Sequence, residues 1–294
     1  MSSPVEVTTT TLREWPLPDP ESSEKHSRGV VLIIAGSSHT PGAALLAAEA
    51  ALRAGCGKVQ IATAGSVAAQ VGALVPEAAV YGFDETSGGN LPVECAARLA
   101  ELADGADATL VGPGFADPDE SAALVGALLP RVHGPVVLDA LATAYVNDHR
   151  ELTEVTGPCV LTMNPSELGH VLDRDPSELA PDQVAAVAEL ADTSGSVVLL
   201  GGDTKLVAAS GRPTYAVTAG SAGLATSGSG DVQAGLVAGL LARGAEPAQA
   251  AVWGAWLHAS AGDRLADKVG TLGFRAGELP AEVPALLDLA RAGS

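Results

Sequence analysis

Residues 30–63, "VVLIIAGSSHTPGAALLAAEAALRAGCGKVQIAT", decide the fold class. "VVLIIAG" is an unbroken apolar run of buried-strand length. A Gly/Ser/Pro turn follows, then "GAALLAAEAALRAG" with small apolar residues at helical spacing, then a second strand-like run, "KVQIAT". A strand without polar alternation is covered on both faces, which is the signature of a parallel strand in a βαβ unit. The pattern continues outward. "ATLVGPG", "PVVLDA", "CVLTMNP" and "SVVLLGG" read as further strands, with helical stretches such as "DQVAAVAELADTSG" between them. Apolar runs alternating with helices predict a largely parallel sheet covered on both faces, a three-layer α/β/α sandwich. Between Val197 and Val217 the segments shorten into a hairpin or meander, and after Asp231 the chain reads as helical almost to its end, with Pro247 at a helix start. Residues 1–28 are polar and aperiodic and read as a partly ordered lead-in; residues 29–294 read as one domain.

The 294 residues carry a net charge of −19, with 47% hydrophobic but only 3% aromatic residues. That charge gives a nucleic acid or an anionic membrane little reason to bind. No apolar run approaches the roughly 18 residues of a membrane span, and the N-terminus lacks the layout of a secretory signal, so a cytoplasmic location is expected. Cys56, Cys95 and Cys159 form no CxxC pair and read as reduced, small apolar residues. The six histidines, His26, His39, His133, His149, His170 and His258, show no metal-ligand spacing. A GxxxxGK[ST] loop and a GxSxG elbow are both absent, which argues against a Walker-type ATPase and an α/β-hydrolase.

Residues 224–244, "LATSGSGDVQAGLVAGLLARG", carry the strongest chemical signal. Gly228, Ser229 and Gly230 precede a helix whose first turn offers unpaired N–H groups to an anion, and the glycines leave room for a phosphate. Asp231 is either an N-cap or a general base taking a proton from a hydroxyl that attacks that phosphate. Gly235 and Gly239 expose helix backbone, which predicts close packing on the sheet. Asp139, at the end of "VVLDA", is either a ligand group at a strand's carboxyl end or a helix N-cap or turn acid. Glu167 stands three residues after Asn164, the spacing of a capping box, which is favoured over a magnesium-shell role. Asp203 follows two glycines and has a turn reading beside its site reading. Trp253 and Trp256 have core or subunit-contact spacing.

The stretch "GSAGLATSGSGDVQAGLVAGLLARG" resembles the signature of the ADP-dependent NAD(P)H-hydrate dehydratases, a branch of the ribokinase-like kinases. The βαβ segment quoted first, "VGPGF", "VVLDALA" and "LTMNPSEL" follow the family's order, so the resemblance runs from about Gly29 to the last helix. It implies a ribokinase-like fold and a repair reaction. Hydrated NADH or NADPH is phosphorylated on its ring hydroxyl by ADP, or by ATP in some relatives, with Mg²⁺ accompanying the nucleotide, and phosphate then leaves to restore the cofactor. It also implies Asp231 as catalytic base, Gly228, Ser229 and Gly230 as anion hole, Ala43, Gly114 and Asn164 as substrate contacts, and Gly201, Gly202, Asp203, Thr204 and Lys205 as the nucleotide segment. A homo-oligomer without the epimerase domain of some relatives is expected. Two positions depart from the family. "LTMNPSE" places Asn164 where a His is common, and "LGGDTK" places Gly201 where a Lys is common and Lys205 where a Thr is. Lys205 is then either a displaced positive charge for the nucleotide phosphates or a solvated side chain. The rival readings are a ribokinase-like small-molecule kinase that keeps its phosphate on the product and a catalytically weak nucleotide-binding protein.

Overall fold

The computed structural model of the protein describes residues 3–19, 28–152, 155 and 157–291. Among them, ten strands form one sheet: β1 (Val5–Glu6), β2 (Val30–Ile34), β3 (Lys58–Ala64), β4 (Ala78–Phe83), β5 (Ala108–Val111), β6 (Val136–Asp139), β7 (Cys159–Met163), β8 (Val197–Leu200), β9 (Lys205–Ala208) and β10 (Tyr215–Val217). Their order is β1-β10-β9-β8-β7-β6-β5-β2-β3-β4. All neighbours from β8 to β4 are parallel, whereas β9 is antiparallel to both β8 and β10. The meander expected from the shortened segments is therefore this β8–β9–β10 turn-back.

Twelve helices accompany the sheet among the described residues: α1 (Thr9–Glu14), α2 (Gly42–Arg53), α3 (Gly65–Leu74), α4 (Ala96–Ala103), α5 (Pro118–Leu128), α6 (Ala144–Asp148), α7 (Pro165–Leu172), α8 (Pro176–Leu179), α9 (Gln183–Ser194), α10 (Ser229–Ala242), α11 (Pro247–Lys268) and α12 (Leu279–Arg291). Two cores, one on each face of the sheet, explain the unbroken apolar strands. On β2, Val31 and Ile33 enter a core shared with α2, α10, α11 and α12, while Leu32 and Ile34 enter one shared with α4, α5, α7 and α9. All five β2 residues are buried. That is the three-layer α/β/α arrangement expected for strands covered on both sides. Trp253 and Trp256 are core residues, and the Trp253 indole N–H donates to the Trp15 carbonyl at 2.9 Å. The three cysteines are free and buried.

Two readings need correction. The aperiodic N-terminal segment contains β1, which pairs in parallel with β10, and α1, which buries Leu12 completely. A two-residue strand is too short to show a period, so nothing local announces it. The rest of that lead-in, residues 1–2 and 20–27 with His26, lies outside the described residues.

The second correction concerns α10. From Val232 to Ala242 every residue is buried, so the helix is apolar all round. Its glycines face a helix, not the sheet. A Cβ on Gly235 would lie 2.3 Å from the Ala47 carbonyl oxygen, and one on Gly239 would lie 2.7 Å from that of Ala51. The backbones of α10 and α2 are thus nearly in contact, an approach only glycine permits. Gly235→Ala should cost at least about 1–3 kcal/mol by overpacking, read from urea unfolding; a change below about 0.5 kcal/mol would show that the two helices can separate freely.

Candidate active site

The parallel order β8-β7-β6 aligns three carboxyl ends along one rim. Asp139 closes β6, Asn164 follows β7, and Gly201, Gly202 and Asp203 follow β8. Because β9 runs back antiparallel, with Leu206 opposite Leu200, its first residue, Lys205, returns to the same rim. These residues and Gly228–Asp231 at the start of α10 line a cavity of about 680 Å³. The carboxyl edge of a parallel sheet is where such folds collect ligand groups.

The loop before α10 turns on Gly228, the N-cap, which has φ +86° and no capping side chain. The Ser229 N–H is used by the Thr226 carbonyl at 3.2 Å. The N–H groups of Gly228, Gly230 and Asp231 find no acceptor among the described residues. A Cβ on Gly230 would meet nothing within 4 Å. Open space beside unpaired donors at a helix start is suited to an anion. Asp231 is the third residue of α10, not its cap, and makes no capping hydrogen bond. Burial alone pushes its carboxyl up to about 6.

Among the other side chains lining the cavity, Asp139, Asn164 and Glu167 are each engaged by a partner and Lys205 is not. Asp139 Oδ1 accepts from the Thr162 hydroxyl at 2.6 Å. Burial first, then repulsion from Asp231 and Glu167, holds Asp139 well above the usual carboxylate range. Its side chain caps no helix. Asn164 Oδ1 accepts from the Ser166 and Glu167 N–H groups, and Glu167 Oε2 accepts from the Asn164 N–H at 2.8 Å, a complete capping box on α7. Only the amide nitrogen of Asn164 is left for a ligand. Lys205 is 5% exposed, makes no hydrogen bond or ion pair among the described residues, and is pushed down to about 8 by burial.

Two cavity residues carried no functional reading in the sequence. His258 of α11 places Nε2 at 2.9 Å from both the carbonyl and the hydroxyl oxygen of Ser229. A carbonyl can only accept, so Nε2 carries the proton and Nδ1 is bare. Burial, and then the charge of Lys205, hold His258 well below the usual imidazole range, so it is neutral. His258 Nδ1 and Gln233 Oε1 are buried without a partner among the described residues. His258 sits in the apolar helix "AAVWGAWLHAS" and Gln233 in a buried one, so local pattern marks both as core.

Ala43 and Gly114 belong together, apart from the cavity lining. A Cβ on Gly114 would lie 2.7 Å from the Ala43 Cβ and 2.7 Å from the Thr40 carbonyl oxygen. Thr40 Oγ1 donates to the Gly114 carbonyl at 2.5 Å. Leu46, one turn along α2 from Ala43, lies against Gly228, so the two groups of residues meet across the α10 start. Thr204 does not line the cavity.

The sequence profile described as NAD(P)H-hydrate dehydratase matches residues 31–285. The chain belongs to the NAD(P)H-hydrate dehydratase family. It is 42% identical over 284 residues to the ADP-dependent (S)-NAD(P)H-hydrate dehydratase of Xanthomonas campestris, covering 96% of each chain. Among solved structures it matches the ADP/ATP-dependent NAD(P)H-hydrate dehydratase of Bacillus subtilis, co-crystallised with ATP and Mg²⁺, at a TM-score of 0.84 and 26% identity, over 99% of both chains. A ribokinase-like superfamily protein of Enterococcus faecalis matches at a TM-score of 0.81 and 23% identity, over 97% of this chain and 96% of that one. The three-layer fold is thus ribokinase-like.

For a member of this family the fit of a divalent cation can be tested on the side chains. Among the described residues no cluster of three or more His, Cys, Asp or Glu side chains could hold a metal ion. Asp139 is committed to Thr162 and Glu167 to the α7 cap, which leaves Asp231 as the uncommitted carboxylate at the α10 start. A divalent cation at the α10 start would meet Asp231 as its protein carboxylate.

The raised Asp231 pKa makes a stability prediction. A carboxyl whose folded pKa lies above its unfolded value contributes stability below about 3.8 that is lost as pH rises through about 6. At pH 8 Asp231→Asn should unfold at the same or a higher temperature than the wild type, with the difference shrinking as pH falls from 6 towards 4. A clear loss at pH 8 would instead make Asp231 a structural cap.

Proposed function

We propose that the protein is an ADP-dependent (S)-NAD(P)H-hydrate dehydratase, which returns hydrated NADH or NADPH to the reduced cofactor and releases AMP and phosphate. The observation that carries the reading is the α10 start. One carboxyl tuned to about 6 stands beside three N–H groups without acceptors, in a cavity that also holds an unpaired lysine. The relative from Xanthomonas campestris, matched over 96% of both chains, bears the name of this activity.

The reaction needs a poor leaving group, hydroxide, converted into a good one. Asp231 accepts the proton of the ring hydroxyl as its oxygen attacks the terminal phosphorus of ADP; the bond from that phosphorus to the AMP oxygen breaks, and AMP leaves. The new C–O–phosphate bond then breaks with the help of the ring nitrogen lone pair, phosphate departs, and the neighbouring carbon loses a proton to restore the double bond. The free N–H groups of Gly228, Gly230 and Asp231 hold the transferring phosphoryl oxygens, where negative charge collects. Mg²⁺ arriving with the nucleotide supplies further charge neutralisation. A carboxylate near 6 suits the base role because it is ionised at neutral pH and still basic enough to take a proton.

Ala43 and Gly114 form the substrate side. They pack together on the side of the α10 start where Leu46 lies, and the Asn164 amide nitrogen is free to donate to a substrate. Gly201, Gly202 and Asp203 form the hairpin wall along the nucleotide.

Incubation with hydrated NADH and ADP should restore the reduced-nicotinamide absorbance with one AMP per turnover. A stable phosphorylated product would make the protein a kinase, and no reaction with ADP or ATP would make it a binding protein. Asp231→Asn should lower turnover at least about 100-fold with nucleotide binding retained, and the wild-type rate should climb as pH rises through about 6. An unchanged rate in the variant would remove Asp231 from the mechanism.

A further inference from the structure

Lys205 is the one buried charge around the cavity that the scheme above does not use. It is 5% exposed, and its neighbours along β9, Leu206, Val207 and Ala208, are apolar and buried. A buried ammonium without a counter-ion is costly, and an apolar side chain of similar length would fill the same space at less cost. The protein does not supply the anion. Asp139 is raised well above the usual carboxylate range by burial, against the Thr162 hydroxyl that donates to it, Glu167 serves the α7 cap, and neither Asp203 nor Asp231 pairs with the lysine among the described residues. His258, the other basic group facing this cavity, is neutral and turns its protonated nitrogen to Ser229. No counter-charge for Lys205 is found among the described residues, and the cavity is open to an anion.

We propose that Lys205 is the cation that recognises the phosphate chain of the nucleotide. The cavity offers one anion two sets of partners on different elements, the N–H groups of the α10 start and the ammonium at the start of β9. Gly201 and Gly202, at the end of β8, have no side chain to offer, and the antiparallel return of the chain brings Lys205 to the rim they occupy. Phosphate oxygens are the anion that uses both sets at once, because a nucleoside diphosphate spreads its charge over several oxygens along a chain. The assignment rests on the nucleotide reading of the cavity, but its test does not need turnover.

Calorimetry of wild type, Lys205→Met and Lys205→Gln with ADP and with adenosine, plus thermal unfolding of the three ligand-free proteins, gives the test. ADP should bind both variants at least about 10-fold more weakly than wild type, the loss expected for one charge-assisted contact. Adenosine should bind all three alike, and ligand-free Lys205→Met should melt at a higher temperature than wild type, because an unpaired buried charge has gone. Undiminished ADP binding in both variants, equal losses for ADP and adenosine, or a lower melting temperature in Lys205→Met would each overturn the assignment. If wild type binds ADP as described yet leaves hydrated NADH unchanged, the dehydratase reading falls and Lys205 stands as a nucleotide-phosphate group. If wild type binds no nucleotide, both fall.

Discussion

The near-contact of the α10 and α2 backbones sets the position of the α10 start, on which the proposed chemistry depends. Gly235 and Gly239 let α10 settle against the carbonyls of Ala47 and Ala51, and from Val232 onward the helix is buried on all sides. A helix held this way cannot shift without opening the core, so the place where it begins is fixed. That beginning is where the unpaired N–H groups and Asp231 sit. Leu46 of α2 lies against Gly228, and His258 of α11 holds Ser229 through its carbonyl and hydroxyl oxygens. The loop before α10 is thus tied to two neighbouring helices, the kind of rigid support that the proposed phosphoryl transfer needs when positioning and electrostatics do most of the chemistry.

The cavity is also where the protein gives up stability. Burial raises the Asp231 carboxyl to about 6 and lowers the Lys205 ammonium to about 8, in each case because the charged form has lost water without gaining a partner. Burial likewise disfavours the charged forms of Asp139 and His258, although each has a hydrogen-bond partner, Thr162 for Asp139 and Ser229 for His258. Two buried ionisable groups without a counter-ion among the described residues, Asp231 and Lys205, are more typical of a functional cleft than of a packed core.

Much of this could be read in the chain, for a physical reason. A strand buried on both faces must be apolar throughout, so "VVLII" and its counterparts announce a parallel sheet without help from distant residues. The capping box of Asn164 and Glu167 is likewise set by a three-residue spacing. What escaped depends on partners far along the chain. β1 is two residues long and exists because β10 offers it an edge. The glycines of α10 signalled close packing, but a helix cannot tell from its own sequence whether a sheet or another helix lies against it. His258 has no polar neighbour in its own helix to mark it, and its hydrogen bonds reach Ser229 only after α11 has folded back along α10. The pairing of Ala43 with Gly114 arises in the same way, from the first turn of α2 meeting the loop after β5.

The central claim is that the α10 start moves a phosphoryl group onto the substrate hydroxyl before that oxygen leaves. Hydrated NADH carrying heavy oxygen in its ring hydroxyl, turned over with ordinary ADP in ordinary water, tests it directly by mass analysis of the released phosphate. The account predicts that the heavy oxygen leaves in the phosphate, one atom per cofactor restored. Heavy oxygen found in water, with unlabelled phosphate, would contradict it.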